Sequence, residues 1–307
     1  MKFSDYISLV LYTFNDQSII NESLNRIINS LKSNFKNFEI IIINDFSSDN
    51  TLSICNKFKL ENNEYSIKII NLSRKHGIEK CINVGVNYSI GDFVIEFDDP
   101  SLSFEDELIL NLYNKSCEGY DIVSLKSENN RNFYSNIFYF ILNKFIDKNV
   151  NEKLQTEYCY ILSRRAINSM SLINNRIKYR KVLHPTLGFE KTSLYTDKNL
   201  NIKSSQSFEE KIELFLDVIF TSTNFAIKIN IYLTLFFLVC TITVSLFSLY
   251  QYFFNESIVQ GWTTTILYLS LSFFGVFLIL SIISRLLSII LTEVGSIPNV
   301  TIKNINK

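Results

Sequence analysis

The sequence predicts an α/β protein, a mostly parallel sheet with helices on both faces, followed by two transmembrane helices. Two observations carry that expectation. Over the first hundred or so residues, short apolar runs of strand length alternate with amphipathic stretches of helical period. From Ile229 to Leu291, by contrast, the only ionisable charged residues are Glu256 and Arg285.

The elements follow in order. Ile7–Leu11 reads as a buried strand, and Ile19–Leu31 as a helix with apolar residues at 20, 24, 27, 28 and 31. Phe38–Ile43 is a second strand, followed by a helix near Ser48–Leu60. Ile67–Leu72, a helix over Ile78–Ser89 and a strand over Phe93–Phe97 continue the alternation. Strands separated by helices pair in parallel, and such sheets bind ligands at the carboxyl ends of their strands.

The charge-poor region is broken at Asn255-Glu256-Ser257 and Gln260-Gly261-Trp262, leaving stretches of about Ile229–Phe254 and Thr263–Leu291. Each exceeds the ~20 residues that cross a bilayer core as a helix. Tyr250, Tyr252 and Trp262 flank the break, where interfacial aromatics are favoured. Lys228 precedes the pair and Lys303 and Lys307 follow it, while the loop between carries only Glu256; the positive-inside rule then puts both chain ends in the cytoplasm. Arg285, costly in lipid, is expected to snorkel or to pack against a neighbouring helix. The chain divides into a domain over 1–207, an amphipathic juxtamembrane helix over 208–228, a two-helix anchor over 229–292 and a cytoplasmic tail over 293–307. Phe208, Ile212, Phe215, Leu216, Ile219 and Phe220 carry the amphipathic pattern, which Phe133, Ile137, Phe140, Ile141 and Phe145 repeat upstream.

Composition narrows the function. Thirty basic and thirty acidic side chains cancel, so no global field draws nucleic acid or an acidic partner. Eight Gly and three Pro in 307 residues exclude fibrous and low-complexity architectures. Cys55, Cys81, Cys117, Cys159 and Cys240 are scattered without a Cys-x-x-Cys spacing, as in a reduced, cytosol-facing protein. The charged N-terminus, Met1–Asp5, reads as no signal peptide.

Polar residues crowd the strand ends: Thr13-Phe14-Asn15-Asp16, Asn44 through Asp49, Ser73 through Gly77, and Asp98-Asp99. No Gly-x-x-x-x-Gly-Lys and no Gly-x-Gly-x-x-Gly follows the first strand, so a nucleotide would be held by carboxylates and loop backbone. Asp45, at the end of a buried strand, suits a base or ribose, or caps the helix near Thr51; Arg74 and Lys80 suit phosphate. Asp98 offers the hard oxygen that Mg²⁺ or Mn²⁺ requires. Asp99, adjacent in an extended strand, points the opposite way, whereas Glu96 and Asp98 share a face and form a rival acidic pair.

Ser8 through Asp16 and Glu39 through Thr51 together resemble the opening motifs of family 2 glycosyltransferases, which have the GT-A fold. Leu72 through Lys80, Gly91-Asp92 with Asp98, Ile161 through Ala166, Leu187-Gly188-Phe189 and Gly261-Trp262-Thr263 resemble segments of its polyprenyl-phosphate branch, typified by dolichyl-phosphate mannose synthase-like and bactoprenol glucosyltransferase-like enzymes. The resemblance implies a UDP- or GDP-sugar donor, a divalent metal (Mg²⁺ or Mn²⁺), a polyprenyl (undecaprenyl) phosphate acceptor and inverting transfer at the cytoplasmic face of a bacterial inner membrane. It also implies that the chain can form homo-oligomers. By position, Tyr12, Phe14, Asp16, Ile43 and Asp45 fall at the nucleoside, Asp98 and Asp99 on the first two places of the DxD metal motif, and Glu157 near an acidic position that orients the acceptor. The chain departs from the pattern at Tyr12 (proline), Asn44 (aspartate), Phe46 (glycine) and Pro100 (the second DxD aspartate). Ser204 through Ser207 lack the late lysine of the family, whose place Lys198 or Lys203 could take. These departures keep two other readings open: extension of a lipid-linked glycan, and a catalytically silent membrane partner that binds nucleotide-sugar.

Overall fold

A computed structural model of the chain describes residues 2–101, 107–127, 139–140, 143, 154–172, 179–196, 225–254, 261–294 and 302–306. The chain forms two compact units, Met1–Ser222 with Ile297–Lys307, and Thr223–Ser296.

The first unit is built on a sheet of strands β1 (Phe3–Thr13), β2 (Phe35–Asn44), β3 (Ser66–Leu72), β4 (Phe93–Phe97), β5 (Ile122–Ser127), β6 (Glu157–Ser163), β7 (Lys191–Thr196) and β8 (Ile302–Asn306). Its order is β7-β5-β6-β4-β1-β2-β3-β8. Helices α1 (Ile20–Asn34), α2 (Thr51–Glu61), α3 (Ile78–Tyr88), α4 (Leu108–Cys117), α5 (Arg164–Leu172) and α6 (Arg180–Thr186) belong to the same unit. Successive side chains of a strand face opposite ways, and both faces are apolar. Leu9, Leu11, Ile40 and Ile42 share one apolar cluster with Leu24 and Ile27 of α1, Phe58 of α2 and Leu112 of α4. Val10, Ile41, Ile43 and Val94 share the other with Ile82 and Val86 of α3 and Ala166 and Ile167 of α5. The expected helices on both faces are therefore present.

The sheet is parallel through β3, β2, β1 and β4, where the strand–helix alternation is regular. Beyond β4 it is mixed: β6 enters antiparallel between β4 and β5, and β7 runs parallel to β5. The 293–307 segment, read from sequence as a tail, contributes β8, antiparallel to β3 with Ile70 opposite Ile305 and Leu72 opposite Ile302. Five residues with two isoleucines carry too weak a pattern to announce a strand; pairing with the open β3 edge supplies the missing stabilisation.

At the amino ends of the strands, Glu39 is wholly buried, accepting from the Ser8 hydroxyl (2.6 Å), Lys68 (2.6 Å) and the Ile90 N–H (2.8 Å). Gly91 lies so close that a β-carbon there would sit 2.6 Å from the Ser8 backbone nitrogen, so only glycine fits.

In the second unit, α7 (Phe225–Phe254) and α8 (Trp262–Val294) contain apolar stretches of 24 and 26 residues, Ile231–Phe254 and Trp262–Leu287. At 1.5 Å per residue these reach roughly 36–39 Å, enough to cross a hydrocarbon core. The helices pack through stacked Phe237 and Phe277 rings, 3.8 Å apart. Thr243, Ser270 and Ser272 turn their hydroxyls back onto carbonyls one turn earlier, which satisfies them without water. Of the amphipathic segments, residues 208–224 lie outside the described residues and 225–228 begin α7; Phe133, Ile137, Ile141 and Phe145 also lie outside them, and Phe140 is helical and exposed.

Candidate active site

The carboxyl ends of β1, β2 and β4 bring the predicted residues to one rim of the sheet. Asp45, buried at the end of β2, accepts from the His76 N–H (2.7 Å), the Gly77 N–H (2.9 Å) and the Tyr12 hydroxyl (3.2 Å). Gly77 (φ +85°) precedes the first turn of α3, so Asp45 fixes where that helix starts and its charge faces the helix's positive end. Asp45 thus holds the loop that leads into α3, and its bonds do not go to the helix near Thr51. Burial and the Asp45 charge raise the Tyr12 hydroxyl far above its ordinary range, so it remains a neutral donor.

Asp16 accepts from the Thr13 hydroxyl and the Phe14 N–H, both at 2.9 Å. Lys75 stands 4.4 Å over the Phe14 ring. Arg74 is exposed, Lys80 half-buried on α3, and Ile43 lies wholly within the apolar layer beneath α3. Phe46, where the resemblance has glycine, takes the left-handed conformation that glycine prefers (φ +60°) and leaves its ring 52% exposed.

Asp98 follows β4 and already has basic partners. Its Oδ1 accepts from Arg180 Nη2 at 2.8 Å, and Lys181 Nζ lies 3.8 Å from Oδ2. Arg180, 3% exposed in its side chain, also reaches Glu96, and Glu79 at 3.2 Å. The rival pair Glu96 and Asp98 thus does share a face, and a guanidinium joins them. Burial pushes the Glu96 carboxyl up to about 7 against the pull of Arg180.

Asp99 faces elsewhere, as its adjacency requires. Its Oδ1 accepts from the Ser101 N–H (2.6 Å). Burial, with the charges of Asp16 and Asp98, raises its carboxyl above the ordinary range, the Ser101 N–H opposing. Among the described residues no three His, Cys, Asp or Glu side chains gather into a metal cage. Asp99, a carboxylate raised chiefly by burial and further by Asp16 and Asp98, fits a hard divalent cation completed by ligand oxygens; Asp98, already balanced by Arg180, fits one less well.

Glu157 opens β6 and is 2% exposed. Its carboxylate accepts from the Ser124 hydroxyl (2.8 Å), the Tyr160 hydroxyl (2.5 Å) and Lys191 (2.7 Å), with Lys126 at 3.6 Å. Burial opposes ionisation, but Lys191, Tyr160 and Lys126 outweigh it and hold the carboxyl below its ordinary range. The Glu157 backbone carbonyl accepts from Lys181 at 2.7 Å. His184, beside Tyr160, has neither ring nitrogen paired among the described residues, and burial with Arg180, Lys191 and Lys181 keeps it neutral.

Arg180, Lys181, Lys126 and Lys191 were not singled out from sequence. The only local signal was the pair Arg180-Lys181, which carries nothing until α6 places it against β4 and β6.

The glycosyl transferase family 2 pattern matches residues 8–177. The chain belongs to that family. It is a glycosyltransferase, with a mixed α/β sheet of the GT-A kind and two apolar carboxy-terminal helices that could span a membrane. Among its relatives, an uncharacterised glycosyltransferase of Bacillus subtilis, YkcC, is 24% identical over 300 residues, 95% of this chain and 91% of that one. An undecaprenyl-phosphate 4-deoxy-4-formamido-L-arabinose transferase of Shewanella sediminis is 33% identical over 119 residues, 39% of this chain and 35% of that one. A mannosyltransferase of Pyrobaculum calidifontis, solved in complex with GDP-Man and Mn²⁺, shares the fold at a TM-score of 0.50 and 11% identity, covering 97% of this chain and 78% of that one.

Proposed function

We propose that this family 2 glycosyltransferase moves one sugar from a UDP- or GDP-sugar to a polyprenyl phosphate, undecaprenyl phosphate in a bacterium, at the cytoplasmic face of the plasma membrane. The product serves a cell-surface glycan. The observation that carries the acceptor class is the state of Glu157. A sugar hydroxyl needs a base to take its proton as it attacks. Glu157, at the acidic position which the resemblance ties to the acceptor, is ionised and surrounded by Lys191, Lys126, Ser124 and Tyr160. A carboxylate so stabilised is a poor base, which favours an acceptor that brings its own charge, as a phosphate monoester does near neutral pH. The partly matching relative that uses undecaprenyl phosphate supports the same class.

The donor lies across the carboxyl ends of β1, β2 and β4, its nucleoside near Tyr12, Phe14, Asp16, Ile43 and Asp45 and its diphosphate toward Arg74, Lys80 and Asp99. An acceptor phosphate oxygen attacks the anomeric carbon from the face opposite the diphosphate. The carbon–oxygen bond to the diphosphate breaks, its electron pair leaves with the nucleoside diphosphate, and no proton changes hands. Mg²⁺ or Mn²⁺ held at Asp99, with Asp98 beside it, would offset the charge gathering on the diphosphate. Arg180 holds Asp98 in place through its 2.8 Å contact with Oδ1.

The membrane reading rests on connectivity as well as hydropathy. β3, before the α7–α8 pair, and β8, after it, pair within one sheet, which supports two crossings that return the chain to the side it left.

Detergent-solubilised protein incubated with labelled UDP- and GDP-sugars, undecaprenyl phosphate and Mn²⁺ or Mg²⁺ tests this. A glycosyl-phosphate lipid is expected. Transfer only to a lipid-linked saccharide would move the chain to glycan extension, and no product with any donor and acceptor to a catalytically silent role.

A further inference from the structure

We propose that Lys181 is the cation that grips a phosphate of the reacting pair, taking the part of the late lysine this chain lacks. The inference rests on the transfer reaction above and adds a residue to it.

The four cations at this end of the sheet do not have equivalent surroundings. Arg180 is spoken for by Glu79, Glu96 and Asp98, and its side chain is 3% exposed. Lys191 makes a close contact of 2.7 Å with Glu157, and Lys126 faces the same carboxylate from 3.6 Å; their side chains are 7% and 9% exposed. Lys181 is the most open of the four at 13%, and its hydrogen bond goes to a neutral carbonyl, that of Glu157. Its distance to Asp98 Oδ2, 3.8 Å, exceeds hydrogen-bond length, and Arg180 already supplies Asp98 with a close partner.

An ammonium carries three N–H donors, and one is committed here. Lys181 also bridges the two halves of the site: Asp98 ends β4 on the donor side, and Glu157 begins β6 on the acceptor side. A phosphate placed between them competes only with the 3.8 Å Lys181–Asp98 pair, a longer contact than the 2.7–2.8 Å ones that Lys191 and Arg180 make with their carboxylates. The sequence reading looked to Lys198 or Lys203 for the missing charge, and both lie outside the described residues. Lys181 precedes them in sequence and is set against both carboxylate-bearing strands by the start of α6.

The ligand is a phosphate oxyanion, from the donor's diphosphate or the acceptor's monoester. Calorimetric titration of full-length protein in detergent, wild type against Lys181→Met and Lys181→Arg, separates the two. The probes are UDP and GDP with Mn²⁺ for the donor, and farnesyl phosphate against farnesol for the acceptor. Lys181→Met should weaken at least one phosphate probe by roughly tenfold or more and Lys181→Arg should recover most of it, with farnesol unchanged. Loss confined to UDP or GDP assigns Lys181 to the diphosphate; loss confined to farnesyl phosphate assigns it to the acceptor. Lys181→Met binding every probe as tightly as wild type, with an unchanged melting curve, overturns the proposal, and Lys181→Gln serves in its place should the methionine variant unfold. Wild-type protein that binds the probes yet glycosylates no lipid phosphate would refute the transfer reaction and leave this assignment to be judged by binding alone.

Discussion

Replacing Glu157 by glutamine separates two roles that one carboxylate could hold. The side chain is enclosed by Lys191 at 2.7 Å, Ser124 at 2.8 Å, Tyr160 at 2.5 Å and Lys126 at 3.6 Å. The amide keeps an acceptor for some of these donors but removes the negative charge that faces two buried ammonium groups. Breaking a buried ion pair costs about 3–5 kcal/mol, and the retained hydrogen bonds argue for the lower end, about 3 kcal/mol. For a unit of this size that is a fall in Tm of roughly 6–12 °C. The pH dependence has a definite sign. Because the folded carboxyl is held below its ordinary value, its contribution is present above the unfolded value near 4.5 and disappears as pH falls through the folded one. The melting temperatures of wild type and Glu157→Gln should therefore converge in acid. Turnover should stay within about threefold of wild type at a temperature where both are folded, since loss of a general base costs roughly 10²–10⁴. Thermal melts from pH 3 to 8, with sugar transfer to undecaprenyl phosphate measured on the same preparations, make the comparison. A hundredfold loss of turnover with an unchanged melting temperature would refute the reasoning and make Glu157 the base.

Further outcomes follow from other parts of the molecule. Phe46→Gly removes the β-carbon that makes the left-handed conformation cost about 1–2 kcal/mol, and net stabilisation of about 1 kcal/mol is expected in a urea titration. Gly91→Ala forces a β-carbon to within 2.6 Å of the Ser8 backbone, so a loss of about 1–3 kcal/mol should appear in the same titration. Deleting residues 302–307 uncovers the β3 edge; hydrogen exchange at Ile69–Leu72 should accelerate while that of β4 stays slow. Single cysteines placed in the 255–260 loop and at Lys303 should react with an impermeant thiol reagent from opposite sides of sealed vesicles.

The repeating part of the fold was legible because its signal is local. Leu9, Leu11, Ile40 and Ile42 face one layer, and Val10, Ile41 and Ile43 the other, as strand periodicity requires. The reading weakened beyond Phe97, where β6 comes in antiparallel and β8 arrives from the far end of the chain; pairing of that kind depends on which edge is open. In the site, the adjacency of Asp98 and Asp99 correctly forecast that they face different neighbours. Their different charge environments could not be forecast, since Arg180 stands 82 residues from Asp98 in sequence.

By itself, then, the sequence determined the layered α/β plan, the two apolar helices and the rim of polar residues at the strand ends. Each follows from side-chain period, burial or length within a few turns of chain. The tertiary structure decided which carboxylates are already balanced and how closely Arg180 and Lys181 approach them. Electrostatic partnership acts through space over a few ångströms, and α6 brings Arg180 and Lys181 that close to β4 and β6 only when the sheet has formed.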